Sequence, residues 1–294
     1  MPSAIPASGP RDVDQREPSR EPSIDSAGLT DRGRVRPNNE DAFVIATLQR
    51  SMLVQAASPA EHGWFTGNPA GSLLVVADGM GGQGGGEVAS RVAIEAVVDH
   101  LLNCMPWVAR RRSRMPPRAS LAGVRQELTT ALVQGDATVK NAGAQSSTPH
   151  MGTTLTLALI FGSIAYVAHV GDSRAYLLRN GVLSRLTRDH TLAQRLADEA
   201  QAPMDPDSQL NHILWNSLGA SEDLPEPEIQ KLVVEAGDVL LLCSDGLTKH
   251  VSDVQIADLL GACANPAECC AKLVESANAG GGTDNVTAVV ARVK

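Results

Sequence analysis

The chain has 294 residues, of which 43% are hydrophobic and 3% aromatic, so it can bury a large core of aliphatic side chains. Its formal net charge of -8 argues against a nucleic-acid partner, because a phosphate backbone requires a basic surface. No uncharged apolar run reaches the length of about 18 residues that a membrane-spanning helix needs. We therefore expect a cytoplasmic monomer with no membrane or nucleic-acid partner.

The first residues are rich in Pro, Ser and charge, and they contain no apolar run suited to a signal peptide. They predict a disordered tail over residues 1–24. From residue 25 to 294, short apolar strands alternate with longer helical patterns without an evident linker, which predicts one domain. The five cysteines lack metal-site spacing and fit the reducing conditions of the cytoplasm.

The first part of this domain predicts two strands and two helices. Strands are expected over residues 42–48 and 73–77, and the second, LLVVA, is apolar enough to be buried on both faces. The Gly- and Pro-containing segment between them predicts a turn-rich excursion. Helical spacing of apolar residues predicts helices over 87–102 and 121–141. The Arg- and Pro-rich residues 106–120 predict a solvated loop, with a docking site for an acidic partner as the alternative.

The second part begins with strands and ends with helices. Residues 153–161 and 164–170 predict a hairpin around Gly162 and Ser163, which residues 174–179 and 183–187 continue as an antiparallel meander. Helices in two blocks between runs of strands predict an α+β fold, a sheet sandwich flanked by helices. The remaining elements are a helix over 191–200, a polar flap up to about residue 228, two strands within 232–244, two helices within 251–277 and a last strand over 285–293.

Four acidic clusters lie at predicted strand ends or tight turns: NED at 39–41, DG at 78–79, SDG at 244–246 and DN at 284–285. Each cluster alone is more typical of an ordinary turn. However, Asp78 directly follows LLVVA and Asp245 closely follows VLLLC, so both carboxylates are expected to be partly desolvated. Several such carboxylates together would repel one another unless cations neutralised them. Together, the clusters therefore predict a metal site.

Carboxylate oxygens suit hard divalent cations such as Mg²⁺ and Mn²⁺. Two such ions about 4 Å apart can share a water, lower its pKa and direct a hydroxide at phosphorus. Arg36, four residues before Glu40, offers a fork of donors that suits phosphate oxygens. The residues therefore indicate metal-assisted phosphate hydrolysis.

Seven motifs of the chain resemble, in order, those of the metal-dependent, type 2C serine/threonine protein phosphatases of bacterial type. They cover residues from about 26 to 293, and an ordered set is far more specific than a lone DG. The resemblance implies two packed, mostly antiparallel sheets with helices on both outer faces, a four-layer αββα sandwich. It also implies hydrolysis of phosphoserine and phosphothreonine in proteins by in-line attack of a metal-bridging hydroxide, opposing a bacterial Ser/Thr kinase. The motifs are TDRGRVRPNNEDA, VVADGMGGQGGGEVAS, MGTTL, HVGDSRAYLLRNG, LTRDH, LLCSDGL and GGTDNVTAVV.

The resemblance assigns metal ligands residue by residue. Asp78 would bridge two Mn²⁺ or Mg²⁺ ions, with Asp245 and Asp284 completing one site. Glu40 and the backbone carbonyl of Gly79 would complete the other. These five residues are the expected core of the cofactor site.

The resemblance also implies roles around the two ions. Asp41 would hydrogen-bond the nucleophilic water, Arg36 would hold the substrate phosphate, and Asp172 would bind a third, weaker ion. Met80 occupies the place where eukaryotic members carry a histidine that protonates the leaving group, and a thioether cannot donate a proton. Trp215 stands where many bacterial relatives carry a basic residue, so the resemblance does not define the substrate contacts near the flap.

Two other functions remain open at this stage. A catalytically silent relative would bind phosphoproteins as a regulatory module, although the presence of every expected ligand counts against it. A signalling phosphatase acting on a regulator of transcription or secretion would share the same chemistry and differ only in its partner.

Overall fold

Two antiparallel β-sheets lie face to face in the structure, a computed structural model that describes residues 22–53, 64–104, 121–146, 148–201 and 208–294. The predicted loop over 106–120 and residues 1–21 of the predicted tail lie outside the described residues. The strands in chain order are β1 (Ile24–Asp31), β2 (Asp41–Leu53), β3 (Trp64–Met80), β4 (Gly152–Thr153), β5 (Leu155–Phe161), β6 (Ile164–Val170), β7 (Arg174–Arg179), β8 (Val182–Arg185), β9 (Glu228–Val233), β10 (Val239–Cys243) and β11 (Val286–Val293).

The first sheet has the strand order β1-β11-β10-β7-β8, and the second has the order β2-β3-β5-β6-β9, with β4 paired to the end of β3. Neighbouring strands in the described residues pair antiparallel. The helices are α1 (Gly85–Asn103), α2 (Leu121–Ala144), α3 (Leu192–Ala200), α4 (Asp245–Thr248), α5 (Asp253–Ala262) and α6 (Pro266–Ala279).

The alternation of side chains along β3 explains why both faces of this strand are apolar. Leu74 and Val76 pack between the two sheets, whereas Leu73 and Val75 pack towards α1 and α2. A strand directs successive side chains to opposite faces, so a strand covered on both sides needs a continuous apolar run. On the far side, α5 and α6 cover the first sheet. The predicted αββα sandwich is confirmed.

The predicted meander is wrong, because the chain changes sheets after β6. β5 and β6 form the expected hairpin, but β7 pairs with β10 in the other sheet. The crossing passes through Gly171, whose φ of 109° is unfavourable for any residue with a side chain. A Cβ there would lie 2.5 Å from Cβ of Thr154, so the backbones also approach too closely for another residue.

Two other differences concern strands. The predicted turn-rich excursion ends earlier than expected, because Trp64 already begins β3 and pairs with Leu53, with register shifts near Gln49. β1 has no predicted counterpart, since IDSAGLTD lacks an apolar alternation. It is an edge strand held along its whole length by β11, so tertiary pairing rather than local pattern determines it.

The helices and the flap lie close to their predicted positions. Thr191 caps α3 by accepting a hydrogen bond from the backbone N–H of Gln194, and a capping box at Ser252 begins α5. Between α3 and β9, a short 3₁₀ turn (Gln209–His212) is followed by a bridge from Leu218 to Thr153. Among the described helices, none combines the length and hydropathy required to cross a bilayer.

Candidate metal centre

A cleft of about 880 Å³ opens at the edge of the sandwich where β2 and β11 begin and β3 and β10 end. Asp41, the first residue of β2, is 8% exposed and lies opposite Asp78 in the β2–β3 register. The structure therefore brings the eight predicted site residues together. The seven that line the cleft are Arg36, Glu40, Asp78, Gly79, Asp172, Asp245 and Asp284.

Asp41 joins the two sheets at the base of the cleft. Its Oδ2 accepts hydrogen bonds from Ser244 Oγ and Thr287 Oγ1, both at 2.7 Å. Thr287 belongs to β11 of the other sheet, and Ser244 directly follows β10 of that sheet. Burial raises the pKa of Asp41 to about 7, because its effect exceeds the lowering of the pKa by these two hydrogen bonds. The charges of Asp245 and Asp284 raise the pKa further. The two sheets are thus joined through a carboxyl group whose burial disfavours its charged form.

Asp78 and Asp172 concentrate further negative charge in the cleft. Burial raises the pKa of Asp78 well above its ordinary value, and the neighbouring carboxylates of Asp41 and Asp245 raise it further. The pKa of Asp172 is raised for the same reasons, with Asp245 the strongest neighbouring charge. Carboxylates that lie close together in a desolvated site favour their protonated, neutral form unless a cation balances their charge.

The carboxylates fit a site for hard divalent cations. Oδ1 of Asp41 and Oδ1 of Asp245 are buried and have no hydrogen-bond partner among the residues that the structure describes. A buried carboxylate oxygen without a donor is costly, and coordination to a cation would satisfy it. The surrounding donors are oxygens, which is the ligand chemistry of Mg²⁺ and Mn²⁺.

Two glycines allow Glu40 to approach the cleft. A Cβ on Gly79 would lie 2.0 Å from the carbonyl oxygen of Gly86, and a Cβ on Gly86 would lie 2.6 Å from the Glu40 carboxylate. Burial raises the pKa of Glu40, and the charge of Arg36 partly opposes this increase. The glycine-rich sequence after β3 thus serves close backbone packing beside a carboxylate.

Asn285 fixes the loop that carries Arg36 and Glu40. Its Oδ1 accepts a hydrogen bond from the backbone N–H of Glu40 at 2.8 Å. Its Nδ2 donates to the carbonyl oxygens of Arg32 at 2.9 Å and Asn38 at 2.8 Å. The side chain that follows Asp284 therefore positions Glu40 from the opposite sheet. The sequence marks Asn285 only as a turn residue.

Arg36 lies at the rim of the cleft, where it binds Asp284. Nε is 2.8 Å from Oδ1 and Nη2 is 2.9 Å from Oδ2, a bidentate pair whose Arg36 side chain is 53% exposed. In this structure, the guanidinium fork thus binds a predicted metal ligand. Its exposure leaves it accessible from solvent at the mouth of the cleft.

Lys249 is a member of the site that the sequence analysis does not identify. It follows α4, four residues after Asp245, and its Nζ lies 2.6 Å from Asp245 Oδ2 and 2.8 Å from Asp284 Oδ2. Burial opposes the ionisation of Asp284, but hydrogen bonds and charges from Lys249 and Arg36 outweigh it and lower the pKa of Asp284. The sequence signal that could have identified Lys249 is its i, i+4 spacing from Asp245 on a helical turn.

A second part of the cleft lining, the flap wall, comes from the flap. His212, Ile213, Leu214 and Trp215 line it, which gives this wall an apolar character that the carboxylate wall lacks. The guanidinium of Arg195 lies 5.2 Å from the centroid of the Trp215 ring, within the range of a cation–π contact. The flap wall is therefore suited to contact side chains rather than metal ions.

His190 connects the flap to the backbone beside Asp172. Its Nδ1 accepts hydrogen bonds from the backbone N–H of Gly171 at 3.1 Å and from Asn216 Nδ2 at 2.9 Å. Burial lowers the pKa of His190 to about 4, so the ring is neutral and keeps its acceptor at neutral pH. Its ring centroid lies 5.1 Å from that of Trp215.

Comparison with known proteins supplies the family. Residues 60–275 match the family model described as protein phosphatase 2C. The chain is 35% identical over 272 residues to the serine/threonine protein phosphatase PstP of Mycobacterium tuberculosis, covering 91% of this chain and 44% of that protein. The chain thus spans less than half of that relative. It is 31% identical to the serine/threonine phosphatase stp of Listeria monocytogenes, covering 89% of this chain and 92% of the relative.

A solved structure agrees with these matches. The catalytic domain of serine threonine protein phosphatase PstP in complex with two manganese ions is 35% identical, with a TM-score of 0.68 and coverage of 92% of this chain and 98% of that one. Since the family match alone covers more than half of the residues, this chain belongs to the protein phosphatase 2C family of metal-dependent serine/threonine protein phosphatases.

Proposed function

We propose that this chain hydrolyses phosphoserine and phosphothreonine in proteins, with Mn²⁺ or Mg²⁺ as its cofactor. One observation carries the proposal: Glu40, Asp78, Asp245 and Asp284, which are distant in the chain, line a single cleft. The names of the relatives support it, since they are called serine/threonine phosphatases. We also propose that residues 25–294 form one phosphatase domain.

The carboxylates are the proposed cofactor ligands. Asp78, Asp245 and Asp284 would hold one ion, and Asp78, Glu40 and the carbonyl of Gly79 would hold a second. When bound, paired divalent cations acidify a shared water and thereby supply a nucleophile for phosphorus. Oδ1 of Asp245, which is buried and has no hydrogen-bond partner among the described residues, supports this assignment.

Other residues of the chain would orient the reactants. Asp41 is held by two hydroxyls through Oδ2, so its free Oδ1 is available to accept a hydrogen bond from the attacking water. Arg36 has the exposure and the paired donors needed to bind phosphate oxygens at the rim. Asp172, which is half-buried and lies near the charge of Asp245, is the proposed ligand of a third, weaker ion.

The leaving alkoxide of serine requires a proton, and Met80 cannot provide one. Among the described residues that line the cleft, His212 is the one imidazole, and it lies on the exposed flap side. Imidazole is the commonest proton donor in catalysis near neutral pH. We assign the protonation of the leaving group to His212.

The flap wall suggests how the protein substrate binds. Ile213 is 46% exposed and, with Leu214 and Trp215, adds apolar side chains to the lining of the same cleft as the carboxylates. An apolar side chain next to the phosphorylated residue would lie against it. We propose cytoplasmic phosphoproteins as substrates, a cognate Ser/Thr kinase as the opposing enzyme, and a monomeric enzyme.

The decisive experiment measures hydrolysis of p-nitrophenyl phosphate and of a phosphoserine peptide with Mn²⁺ supplied. We expect turnover of both substrates, and loss of turnover when a chelator is added or when Asp78 is replaced in Asp78→Asn. Asp25→Asn is the matched control, because this exposed carboxylate pairs with Lys294 away from the cleft.

The outcomes separate the competing functions. A folded protein that binds the phosphopeptide without hydrolysing it would support the silent phosphoprotein-binding module. Turnover that survives the chelator and Asp78→Asn would contradict the proposed metal ligands. Hydrolysis of p-nitrophenyl phosphate without hydrolysis of phosphopeptides would agree with the proposed metal centre but would contradict the proposal that the substrates are phosphoproteins.

A further inference from the structure

A cluster of three different ligand types lies on the outer helix layer, away from the carboxylate cleft. His100 and Cys104 are four residues apart at the end of α1, and Glu127 faces them from α2. One ligand atom from each residue lies within 4.8 Å of the other two. His100 is 6% exposed and Glu127 is 38% exposed, so the cluster lies at the boundary between the helix pair and solvent.

The hydrogen bonds of His100 leave a place for a cation. Its Nδ1 lies 2.8 Å from Gln134 Oε1, and its Nε2 lies 3.1 Å from Glu127 Oε2. If Nδ1–H donates to the amide oxygen, Nε2 presents a lone pair to a carboxylate oxygen. A proton between Nε2 and Oε2 satisfies both atoms, and a metal ion bound by the two would take its place. A second-shell acceptor on one ring nitrogen is the usual arrangement of a metal-binding histidine.

Cys104 supplies the third ligand. Its Sγ lies 3.7 Å from Nδ1 of His100, so it faces the imidazole. Desolvation and the carboxylates of Glu127 and Asp99 raise the pKa of the Cys104 thiol. The residue also caps the C-terminus of α1, where unsatisfied carbonyls favour positive charge.

We propose that His100, Cys104 and Glu127 form a second metal site, distinct from the carboxylate centre, which binds a soft or borderline divalent cation such as Zn²⁺. Nitrogen, sulfur and one carboxylate oxygen are the ligands of zinc sites, whereas Mg²⁺ and Mn²⁺ prefer oxygen. Zinc binds such ligands at roughly 2.0–2.3 Å, so the three ligand atoms, which lie within 4.8 Å of one another, would move closer together around the ion. The ion would link α1 to α2.

The test uses Co²⁺ and Zn²⁺ with the full chain and with Mn²⁺ present. A cobalt–thiolate bond absorbs in the near ultraviolet, and the oxygen ligands of the carboxylate cleft cannot produce this band. We expect the band to saturate near one equivalent of Co²⁺ and to disappear in Cys104→Ser. In Glu127→Gln we expect the affinity to fall on the order of 10-fold, as for loss of a metal-orienting group. Glu95→Gln, which removes an exposed acid of α1 paired with Arg91, is the matched control and should keep the wild-type affinity.

Alkylation gives an independent measurement. Cys104 is half-buried, whereas the other four cysteines are buried, so iodoacetamide should modify Cys104 first. Zn²⁺ should slow this modification on the order of 10-fold or more, and peptide mass spectrometry identifies the site. Cys104→Ser should retain phosphatase activity with Mn²⁺, which separates this site from the carboxylate centre.

Three results would overturn the proposal. The first is a folded protein that shows neither the cobalt–thiolate band nor protection by Zn²⁺. The second is a band that persists in Cys104→Ser, because another thiol would then be the ligand. The third is unchanged affinity in Glu127→Gln, because the ion would then be held adventitiously by the cysteine.

Discussion

The two walls of the cleft are built in different ways. The carboxylate wall comes from strand ends whose positions are fixed by strand pairing, such as Asp41 opposite Asp78. Two hydroxyl groups at the other sheet also donate hydrogen bonds to Asp41. The flap wall is a loop attached through isolated bridges, Leu214 to Thr191 and Leu218 to Thr153, and through His190. Rigid elements place charged groups accurately, whereas loops vary more readily.

This difference separates chemistry from recognition. We expect changes on the carboxylate wall to affect every substrate equally, because under the proposed function these residues act on the phosphate and its attacking water. Changes on the flap wall should depend on the substrate, because that wall faces the leaving group and its neighbours. Comparing an aryl phosphate with a phosphopeptide therefore tests each wall.

The largest effect is expected on the carboxylate wall. Asp284→Asn should reduce kcat/KM about 10³-fold for both p-nitrophenyl phosphate and a phosphopeptide, since loss of several kcal/mol of transition-state stabilisation corresponds to that factor. Steady-state kinetics at saturating Mn²⁺ measures it. A loss limited to the phosphopeptide would contradict the division between the walls.

His212→Gln should separate the two substrates. A general acid contributes about 10²-fold or more when the leaving group is a poor one, so we expect about a 10²-fold lower kcat for a phosphoserine peptide. For p-nitrophenyl phosphate, whose leaving group departs without protonation, we expect little change. His150→Gln, an exposed histidine outside the cleft lining, is the control. Equal losses on both substrates would exclude His212 as the proton donor.

Lys249→Met should strengthen metal binding. The Lys249 ammonium binds Asp245 and Asp284, so it competes with a divalent cation for the same carboxylates. We expect the apparent Kd for Mn²⁺, measured by calorimetry, to decrease on the order of 10-fold, since the charge repulsion that is removed exceeds about 1 kcal/mol. In the presence of a chelator, the same variant should unfold at a lower temperature.

The control for this change is Lys272→Met, which removes an i, i+4 ion pair with Glu268 on the surface of α6. It should leave Mn²⁺ affinity unchanged. If Lys249→Met weakened Mn²⁺ binding, Lys249 would be acting with the ion, and the competition between them would be disproved.

The smallest effect is expected from Trp215→Ala. Removing this ring from the flap wall should raise KM a few-fold for a phosphopeptide with an apolar neighbour, since one apolar contact contributes roughly 1–3 kcal/mol at most. The kcat and the hydrolysis of p-nitrophenyl phosphate should stay unchanged. Leu224→Ala, an exposed side chain of the same segment, is the control. A fall in kcat instead would place Trp215 with the chemistry.

The local sequence pattern is sufficient to predict an element where burial alone determines the structure of that element. LLVVA predicts β3, and an acidic residue directly after it predicts a carboxylate at the edge of the sheet, as Asp78 shows. The helices α1, α2, α5 and α6 follow from their apolar spacing. These elements were predictable because each signal is contained in a few consecutive residues.

Features that depend on distant residues were not predictable in the same way. The change of sheet at Gly171 and the pairing of β1 with β11 depend on partners far along the chain. Lys249 joins the site because α4 turns its side chain back towards Asp245 and Asp284. His212 enters the cleft only because the flap folds over it.

The central position of β11 has a consequence for biosynthesis. This strand is synthesised after the other ten described strands, yet it lies between β1 and β10 and contributes Thr287 to the anchoring of Asp41. Until β11 leaves the ribosome, β1 has no neighbour in its sheet and Asp41 lacks one of its two hydroxyl donors. A nascent chain that has not yet inserted β11 therefore lacks both the strand that joins β1 to β10 and one of the two hydroxyls that position Asp41 at the base of the cleft.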